Sequence, residues 1–132
     1  TFNGNPLSMA AARATLDEVL TGDAYARLET VDDRLVAGCQ AVIDRYGLPG
    51  YAVGIGSKGC VTFASERISD YRTFKRSQDE ELSELAWLYH ANRDVFMTPG
   101  REEEWTLSVA LEEADGDAYI AVFEELASDL TE

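Results

Sequence analysis

The feature that most constrains the fold is a long helical pattern that ends abruptly. Between residues 24 and 46, apolar side chains recur at steps of three and four, and charged side chains fall largely on the other faces. The apolar positions are Leu28, Val31, Leu35, Cys39, Val42 and Tyr46. Gly47-Leu48-Pro49-Gly50 follows, and a helix does not continue through such a run. We therefore predict an amphipathic helix that packs one face against a core.

Shorter segments on both sides of this helix predict the rest of the fold. Residues 7–20 read as an Ala-rich helix, with Asn5 as its cap and Pro6 at its first position. Strands are predicted at 51–55, 60–64, 95–98 and 105–110, and helices at 79–92 and from Asp115 or Asp117 onward. Residues 68–77 are expected to form a loop with a short strand. The order predicts an α+β fold, a small, largely antiparallel sheet with helices packed on one face.

The helix predicted at 79–92 contains the single histidine of the chain. One apolar face is expected to be buried, made of Leu82, Leu85, Leu88 and Tyr89. His90 lies near the C-terminal end, with no carboxylate or cysteine spacing around it. We predict that it interacts with the helix dipole and is not a catalyst.

Composition excludes several classes of partner. Acidic residues outnumber basic ones by 25 to 11, for a formal net charge of −14. Such a surface repels phosphates, so neither nucleic acid nor anionic lipid is expected to bind. The apolar runs are short and interrupted by charge, so no membrane span is expected. Cys39 and Cys60 match no disulfide framework, which favours reduced thiols in a cytoplasmic protein.

Residues 54–59, GIGSKG, match the letters of the G-x-G-x-x-G dinucleotide motif. That motif requires a helix directly after its last glycine, so that the pyrophosphate meets the helix N-terminus. The next residues are Cys60-Val61-Thr62-Phe63, which favour a strand. We therefore predict a hairpin turn here. A metal site at Glu102–Glu104 with Glu112, Glu113 and Asp115 is not expected, because the spacing matches no calcium loop.

Three segments resemble a known enzyme family. Thr1-Phe2-Asn3-Gly4-Asn5-Pro6-Leu7 resembles the T-[FY]-x-G-N-P-L segment of class III pyridoxal-phosphate aminotransferases. Phe96-Met97-Thr98-Pro99-Gly100-Arg101 and Thr106-Leu107-Ser108 resemble the late strands of the glutamate-1-semialdehyde aminomutase subgroup. The likeness runs in order over essentially the whole chain and covers only the C-terminal third of such enzymes. It implies the C-terminal small domain of a fold-type I enzyme at residues 23–132, preceded at 1–22 by the last segment and helix of the large domain.

The resemblance also implies a cofactor, pyridoxal 5'-phosphate, and a homodimer. In such enzymes the threonine that matches Thr1 gives its hydroxyl and backbone N–H to the cofactor phosphate held by the neighbouring subunit. The alternative for Thr1 is an unordered chain terminus. Arg101 follows a predicted strand and a Pro-Gly turn, where a guanidinium would hold a substrate carboxylate in bidentate fashion. The alternative for Arg101 is an exposed ion pair with Glu102–Glu104.

No catalytic residue is expected in this chain. Lys58 and Lys75 are its only lysines, and neither lies in the pattern around the lysine that bonds to the cofactor. The resemblance places that lysine upstream, in a missing N-terminal portion, so the chain alone is predicted to be inactive. The substrate would be a small amino acid or keto acid, handled by an aminomutase or by an aromatic or β-amino-acid transaminase. The alternative function is a free-standing acidic α+β domain that binds a partner protein and has no chemistry.

Overall fold

The computed structural model describes residues 4–98 and 104–131. Its elements in chain order are α1 (Pro6–Ala14), a π-helical turn (Thr15–Val19), α2 (Gly22–Tyr46), β1 (Gly50–Ile55), β2 (Lys58–Phe63), α3 (Tyr71–Ser77), α4 (Glu80–Ala91), β3 (Glu104–Thr106) and α5 (Glu113–Thr131). Thr1 and Arg101, the two predicted site residues, lie outside the described residues. Within the described ranges, no helix is both long and apolar enough to cross a bilayer.

The three strands form one antiparallel sheet in the order β1-β2-β3. Ile55 pairs with Lys58, so the hairpin turn is only Gly56-Ser57. Gly56 has a φ of 70°, a conformation that glycine adopts without a steric penalty. The predicted hairpin is confirmed, with a turn two residues shorter than the sequence suggested.

Helices cover one face of this sheet and enclose the core. Five of the six apolar residues of α2 predicted from periodicity are buried, and Tyr46 is half-buried against the core, to which β2 and α5 also contribute. Arg34 of α2 forms a bidentate contact with Asp117 of α5, and both hydrogen bonds are 2.8 Å long. Gly38 allows the two helices to approach closely, since a Cβ there would lie 2.4 Å from Ile120. The predicted α+β layer is therefore confirmed.

Residues 71–77 correct the interpretation of 68–77 as a loop with a short strand. They form the helix α3, which begins where Asp70 accepts hydrogen bonds from the Thr73 amide at 2.8 Å and the Thr73 hydroxyl at 3.0 Å. The same amide holds the pKa of the Asp70 carboxyl below its usual value. A local cap thus defines a helix that has too few turns to show an apolar period.

The predicted face of α4 is confirmed only in part, because Leu82 and Tyr89 are half-buried against the core and Leu85 and Leu88 are not. Its buried residues are Ser83, Ala86 and His90, while Leu85 and Leu88 are 44% and 51% exposed. Small side chains let this helix lie close to its neighbours, so the large leucines point outward.

His90, predicted to interact with the helix dipole, is a buried residue of the core. Its side chain is fully buried, 2.7 Å from the Ala86 carbonyl oxygen and stacked on Tyr119 at 4.6 Å between ring centroids. Burial lowers the pKa of the imidazole, because the charged form loses its hydration there. His90 is therefore a core residue and is neutral near pH 7.

The C-terminal third of the chain differs from the predicted pattern at three points. Residues 95–98 form no strand, and the strand predicted at 105–110 is the shorter β3. The final helix begins at Glu113, earlier than predicted, and Asp115 accepts a hydrogen bond from the Glu112 amide at 2.8 Å. An aspartate inside the first turn thus satisfies a donor that precedes the helix.

The N-terminal helix stands apart from this core. Every residue from Gly4 to Val19 is exposed, including Leu7 at 79%, Met9 at 62% and Leu16 at 62%. The predicted Asn5 cap is confirmed, since its side chain accepts from the Leu7 amide at 2.9 Å. An apolar helix in this position buries nothing within the described part of the chain.

Candidate functional site

Two tryptophans anchor the chain on either side of the segment that carries Arg101. On the upstream side, the Trp87 indole Nε1–H donates a hydrogen bond to the Met97 carbonyl oxygen at 3.0 Å. Met97 itself is buried in the core, at 8% exposure. A buried side chain and a long-range hydrogen bond together fix the backbone at residue 97, four positions before Arg101.

On the downstream side, Trp105 is held by a buried carboxylate. Its indole Nε1–H donates to Asp32 Oδ1 at 2.6 Å, and the two residues are 6% and 2% exposed. The Trp105 ring also meets Tyr119 edge-on, with 5.7 Å between centroids. Residue 105, four positions after Arg101, is therefore fixed by α2 and α5 together.

The Asp32 carboxyl lies in an unusual electrostatic setting. Burial raises its pKa, because the ionised form loses hydration, and the nearby Asp33 carboxylate adds to this effect. The hydrogen bond from Trp105 acts in the opposite direction, since it stabilises the ionised form. The hydrogen bond therefore serves both residues. It offsets part of the hydration that the Asp32 carboxylate loses on burial, and it gives the buried Trp105 N–H an acceptor.

The glycines of the GIGSKG stretch serve this anchor. A Cβ on Gly54 would lie 2.3 Å from Asp32 Oδ2 and 2.7 Å from Val36 Cγ2. A Cβ on Gly59 would lie 2.4 Å from Trp105 Cζ2. Gly54 and Gly59 therefore leave space for Asp32 and Trp105 against the sheet. The residues after the motif form the strand β2, as the hairpin prediction required.

Replacing Gly54 with alanine is expected to lower the free energy of unfolding by about 1–3 kcal/mol, because the added methyl overpacks against Asp32. The matched control is Gly22→Ala, since a Cβ there meets nothing within 4 Å. Gly22 opens α2, so alanine should be neutral or stabilise by up to about 1 kcal/mol. Urea unfolding of the two variants measures the difference. Equal effects would contradict the packing role of Gly54.

A cavity of about 210 Å³ opens beside the anchored segment. Its walls are mainly apolar, and its polar lining residues are Thr98, Glu104, Thr106, Glu112 and Asp115. The first two of these residues are the described neighbours, on either side, of the stretch that contains Arg101. Thr98, which belongs to the segment that resembles the aminomutase subgroup, therefore lines a concave surface.

The start of α1 is the second predicted binding region. Asn5 Oδ1 accepts hydrogen bonds from the amides of Leu7 at 2.9 Å and Ser8 at 3.4 Å. The next amide, that of Met9, donates to the Asn5 carbonyl oxygen at 3.0 Å. These three donors are engaged within the helix, so an anion at this end would need donors that precede Asn5. Thr1 belongs to that group.

Known proteins match this chain closely in both sequence and fold. A glutamate-1-semialdehyde 2,1-aminomutase from Syntrophobacter fumaroxidans is 33% identical over 132 residues, which is 94% of this chain and 30% of that protein. A glutamate-1-semialdehyde-aminomutase from Pseudomonas aeruginosa PAO1, solved in complex with PMP, superposes with a TM-score of 0.89 at 26% identity, over 96% of this chain and 28% of that one. No family model matches the chain.

The chain is similar to glutamate-1-semialdehyde 2,1-aminomutases and shares the fold of class III pyridoxal-phosphate-dependent aminotransferases. It matches the C-terminal part of these enzymes and spans about 30% of the length of the curated relatives. A β-phenylalanine aminotransferase from Variovorax paradoxus has a similar fold, with a TM-score of 0.87 at 26% identity over 97% of this chain and 29% of that one. The resemblance seen in the sequence is thereby confirmed.

The two lysines of this chain lie away from the cavity. Lys58 begins β2 on an exposed strand position, and Lys75 Nζ lies 4.0 Å from Glu80 Oε1 on the surface. Neither is among the residues that line the cavity beside Thr98. Among the described residues, no cluster of His, Cys, Asp and Glu has the arrangement of a metal site.

Sequence reasoning missed Asp32 and both tryptophans. One signal was present: Asp32 follows Leu28 by four residues and precedes Leu35 by three, which places a charge on the apolar face of α2. A charged residue in such a position is buried only with a partner. The partner itself, Trp105, lies 73 residues away and has no local signature.

Proposed function

We propose that this chain is the C-terminal part of a pyridoxal-phosphate-dependent aminotransferase or aminomutase. The observation that carries the proposal is the coverage: a match extends over 94% of this chain and over only 30% of a glutamate-1-semialdehyde 2,1-aminomutase. The intact enzyme would move an amino group between an amino acid and a keto acid, or within one molecule. An aminomutase is the assignment that agrees best with the names of the similar proteins. A transaminase of aromatic or β-amino acids is the competing assignment.

The cofactor of the intact enzyme would be pyridoxal 5'-phosphate. Bound to an enzyme, it supplies the electron sink that amino-group chemistry needs. The amides of Leu7, Ser8 and Met9 are already engaged by Asn5, so they are not donors for its phosphate. Thr1 would donate its hydroxyl and N–H to the phosphate held by the other subunit of a homodimer. The covalent lysine would come from the missing N-terminal portion, since Lys58 and Lys75 lie on the surface away from the cavity.

The segment between the two tryptophans would face the substrate. Arg101 would bind the carboxylate of a small amino acid or keto acid in bidentate fashion. Thr98 would begin the cleft wall, and the largely apolar cavity beside it supports a concave surface there. The wall would orient the substrate and keep water from the reacting atoms.

The exposed N-terminal helix supports a domain boundary near Gly22. Residues 1–22 would end the large cofactor-binding domain, and residues 23–132 would form the small domain. Leu7, Met9 and Leu16 are apolar and exposed, which suits a helix that packs against protein outside the described residues. A cytoplasmic location for the enzyme stays a prediction.

The test is an amino-transfer assay with added pyridoxal phosphate on the intact gene product and on residues 1–132 alone. We expect transfer by the intact protein. From residues 1–132 alone we expect no transfer, and an α1 that is frayed beside a folded core. Transfer by neither protein, together with a cooperatively melting monomeric chain whose α1 is ordered, would support the free-standing interaction domain. Transfer by the short chain would contradict the assignment of the lysine.

A further inference from the structure

We propose that this chain binds a small carboxylic acid with an apolar body in a cavity of about 280 Å³ between the β1–β2 hairpin and α3. The strand residues of this cavity are Tyr51, Val53 and Thr62. They alternate with Ala52 and Val61, which pack against the core, so the cavity lies on the other face of the sheet. It shares no lining residue with the cavity described above, and the inference does not depend on the proposed function.

Backbone hydrogen bonds hold the two sides of this cavity together. The Ser65 amide donates to the Ser77 carbonyl oxygen at 3.2 Å, and the Asp79 amide donates to the Phe63 carbonyl oxygen at 3.0 Å. These bonds join the end of β2 to the end of α3. The helical side of the cavity, which includes Phe74, is therefore fixed relative to the strands, and most small-molecule sites are preformed in this way.

Arg67 supplies a fixed positive charge at this cavity. Its guanidinium carbon lies 4.8 Å from the centroid of the Tyr51 ring. The next residue, Ile68, donates its amide to the Tyr51 hydroxyl at 3.1 Å, so two successive residues hold the same tyrosine. A guanidinium held over a ring keeps the N–H groups at its edge for an acceptor such as a carboxylate.

The chain itself supplies no carboxylate to Arg67 within residues 4–98 and 104–131. Five other arginines do form ion pairs there, namely Arg13, Arg34, Arg45, Arg76 and Arg93. Both acidic residues close to Arg67 in the sequence have other partners. Glu66 accepts from Arg76 Nε at 3.0 Å, and Asp70 accepts from the Thr73 amide at 2.8 Å. The guanidinium is thus complementary to an acid that comes from outside the chain.

The other lining residues define the class of acid. Val53, Ile68 and Phe74 make the walls largely apolar, which suits an aliphatic or aromatic body. Thr62, which is 9% exposed, adds a hydroxyl on the strand side. One guanidinium balances one negative charge, so we expect a monocarboxylate and not a dianionic phosphate.

The experiment is a calorimetric titration of the intact protein with phenylacetate. Two matched probes keep the ring, since phenylacetamide is neutral and phenyl phosphate is dianionic. We expect saturable binding of phenylacetate, and binding of each other probe weaker by about tenfold or more. No saturation by about 10 mM phenylacetate, equal binding of phenylacetamide, or tighter binding of phenyl phosphate would overturn the proposal.

Three variants place the binding in this cavity. Arg67→Ala is expected to weaken phenylacetate binding about tenfold or more, because a charge-assisted contact is lost. Val53→Trp should abolish it, since Val53 is 39% exposed and a larger side chain there fills the cavity. Arg72→Ala is the matched control, an exposed arginine of α3 that does not line the cavity, and should change the affinity less than about twofold.

Binding that survives both Arg67→Ala and Val53→Trp would lie elsewhere on the protein and would overturn the inference. The same holds if Arg67→Ala behaves as Arg72→Ala does. The titration does not measure amino transfer, so its result and that of the amino-transfer assay are independent of each other.

Discussion

Replacing Arg101 with alanine in the intact enzyme is expected to raise KM for a carboxylate-bearing substrate on the order of 100-fold. A bidentate guanidinium–carboxylate contact contributes about 2–3 kcal/mol when it is shielded from water. Arg101→Lys should recover only part of this loss, because an ammonium keeps the charge but not the two parallel donors. Steady-state kinetics with donors of both kinds, with and without a carboxylate, measures the effect.

The control for Arg101 is Arg76→Ala. Arg76 lies on α3, its side chain is 66% exposed, and its Nε donates to Glu66 Oε1 at 3.0 Å. We expect its KM to stay within about twofold of the parent, since exposed pairs of this kind contribute little. If Arg101→Ala behaves as Arg76→Ala does, then Arg101 is an ordinary surface residue paired with Glu102–Glu104, and the substrate role is wrong.

Replacing Phe123 with alanine is expected to lower the free energy of unfolding of the chain by about 3–5 kcal/mol. Phe123 is fully buried, and its ring lies 6.3 Å from that of Phe63 and 6.4 Å from that of His90, centroid to centroid. Its removal leaves a cavity where β2, α4 and α5 meet. Urea unfolding followed by circular dichroism gives the value.

Leu88→Ala is the matched control for this core substitution. Sequence periodicity placed Leu88 on the buried face of its helix, whereas it is 51% exposed. We expect a change below about 1 kcal/mol, because little apolar area is lost from the interior. A loss as large as that of Phe123→Ala would contradict the orientation of α4 described above.

The parts of the fold that the sequence predicts are those with a local signal. Helix α2 has a period that repeats over six turns, and a breaker at Gly47-Leu48-Pro49-Gly50 ends it. The hairpin has a glycine at the position that needs positive φ, Gly56. In each case the residues that define the element lie within it, so the pattern needs no information from elsewhere in the chain.

The parts that failed depend on contacts between distant residues. In α4, whether Leu85 or Ala86 turns inward is decided by how closely α5 and β2 approach, and not by the helix itself. The stretch 95–98 is apolar enough for a strand, but Met97 instead enters the core and its carbonyl accepts the Trp87 bond. Helix α3 is short, and only its Asp70 cap distinguishes it from a loop.

The same distinction applies to the candidate site. The resemblance supplied Thr1 and implied the cofactor, and the turn after residue 98 suggested Arg101. The contact between Asp32 and Trp105 could not be predicted from the sequence, because the two residues meet only when α2 crosses the sheet beside Gly54 and Gly59. The glycines themselves were assigned correctly to a hairpin, but their packing role needed the structure.

The central claim is that this chain completes a cofactor site whose reactive amine lies in another part of the enzyme. Borohydride reduction of the intact protein with bound pyridoxal phosphate, followed by peptide mapping, locates the lysine that carries the cofactor. We predict a label outside residues 1–132. A label on Lys58 or Lys75, or none in a protein that transfers amino groups, would contradict the claim.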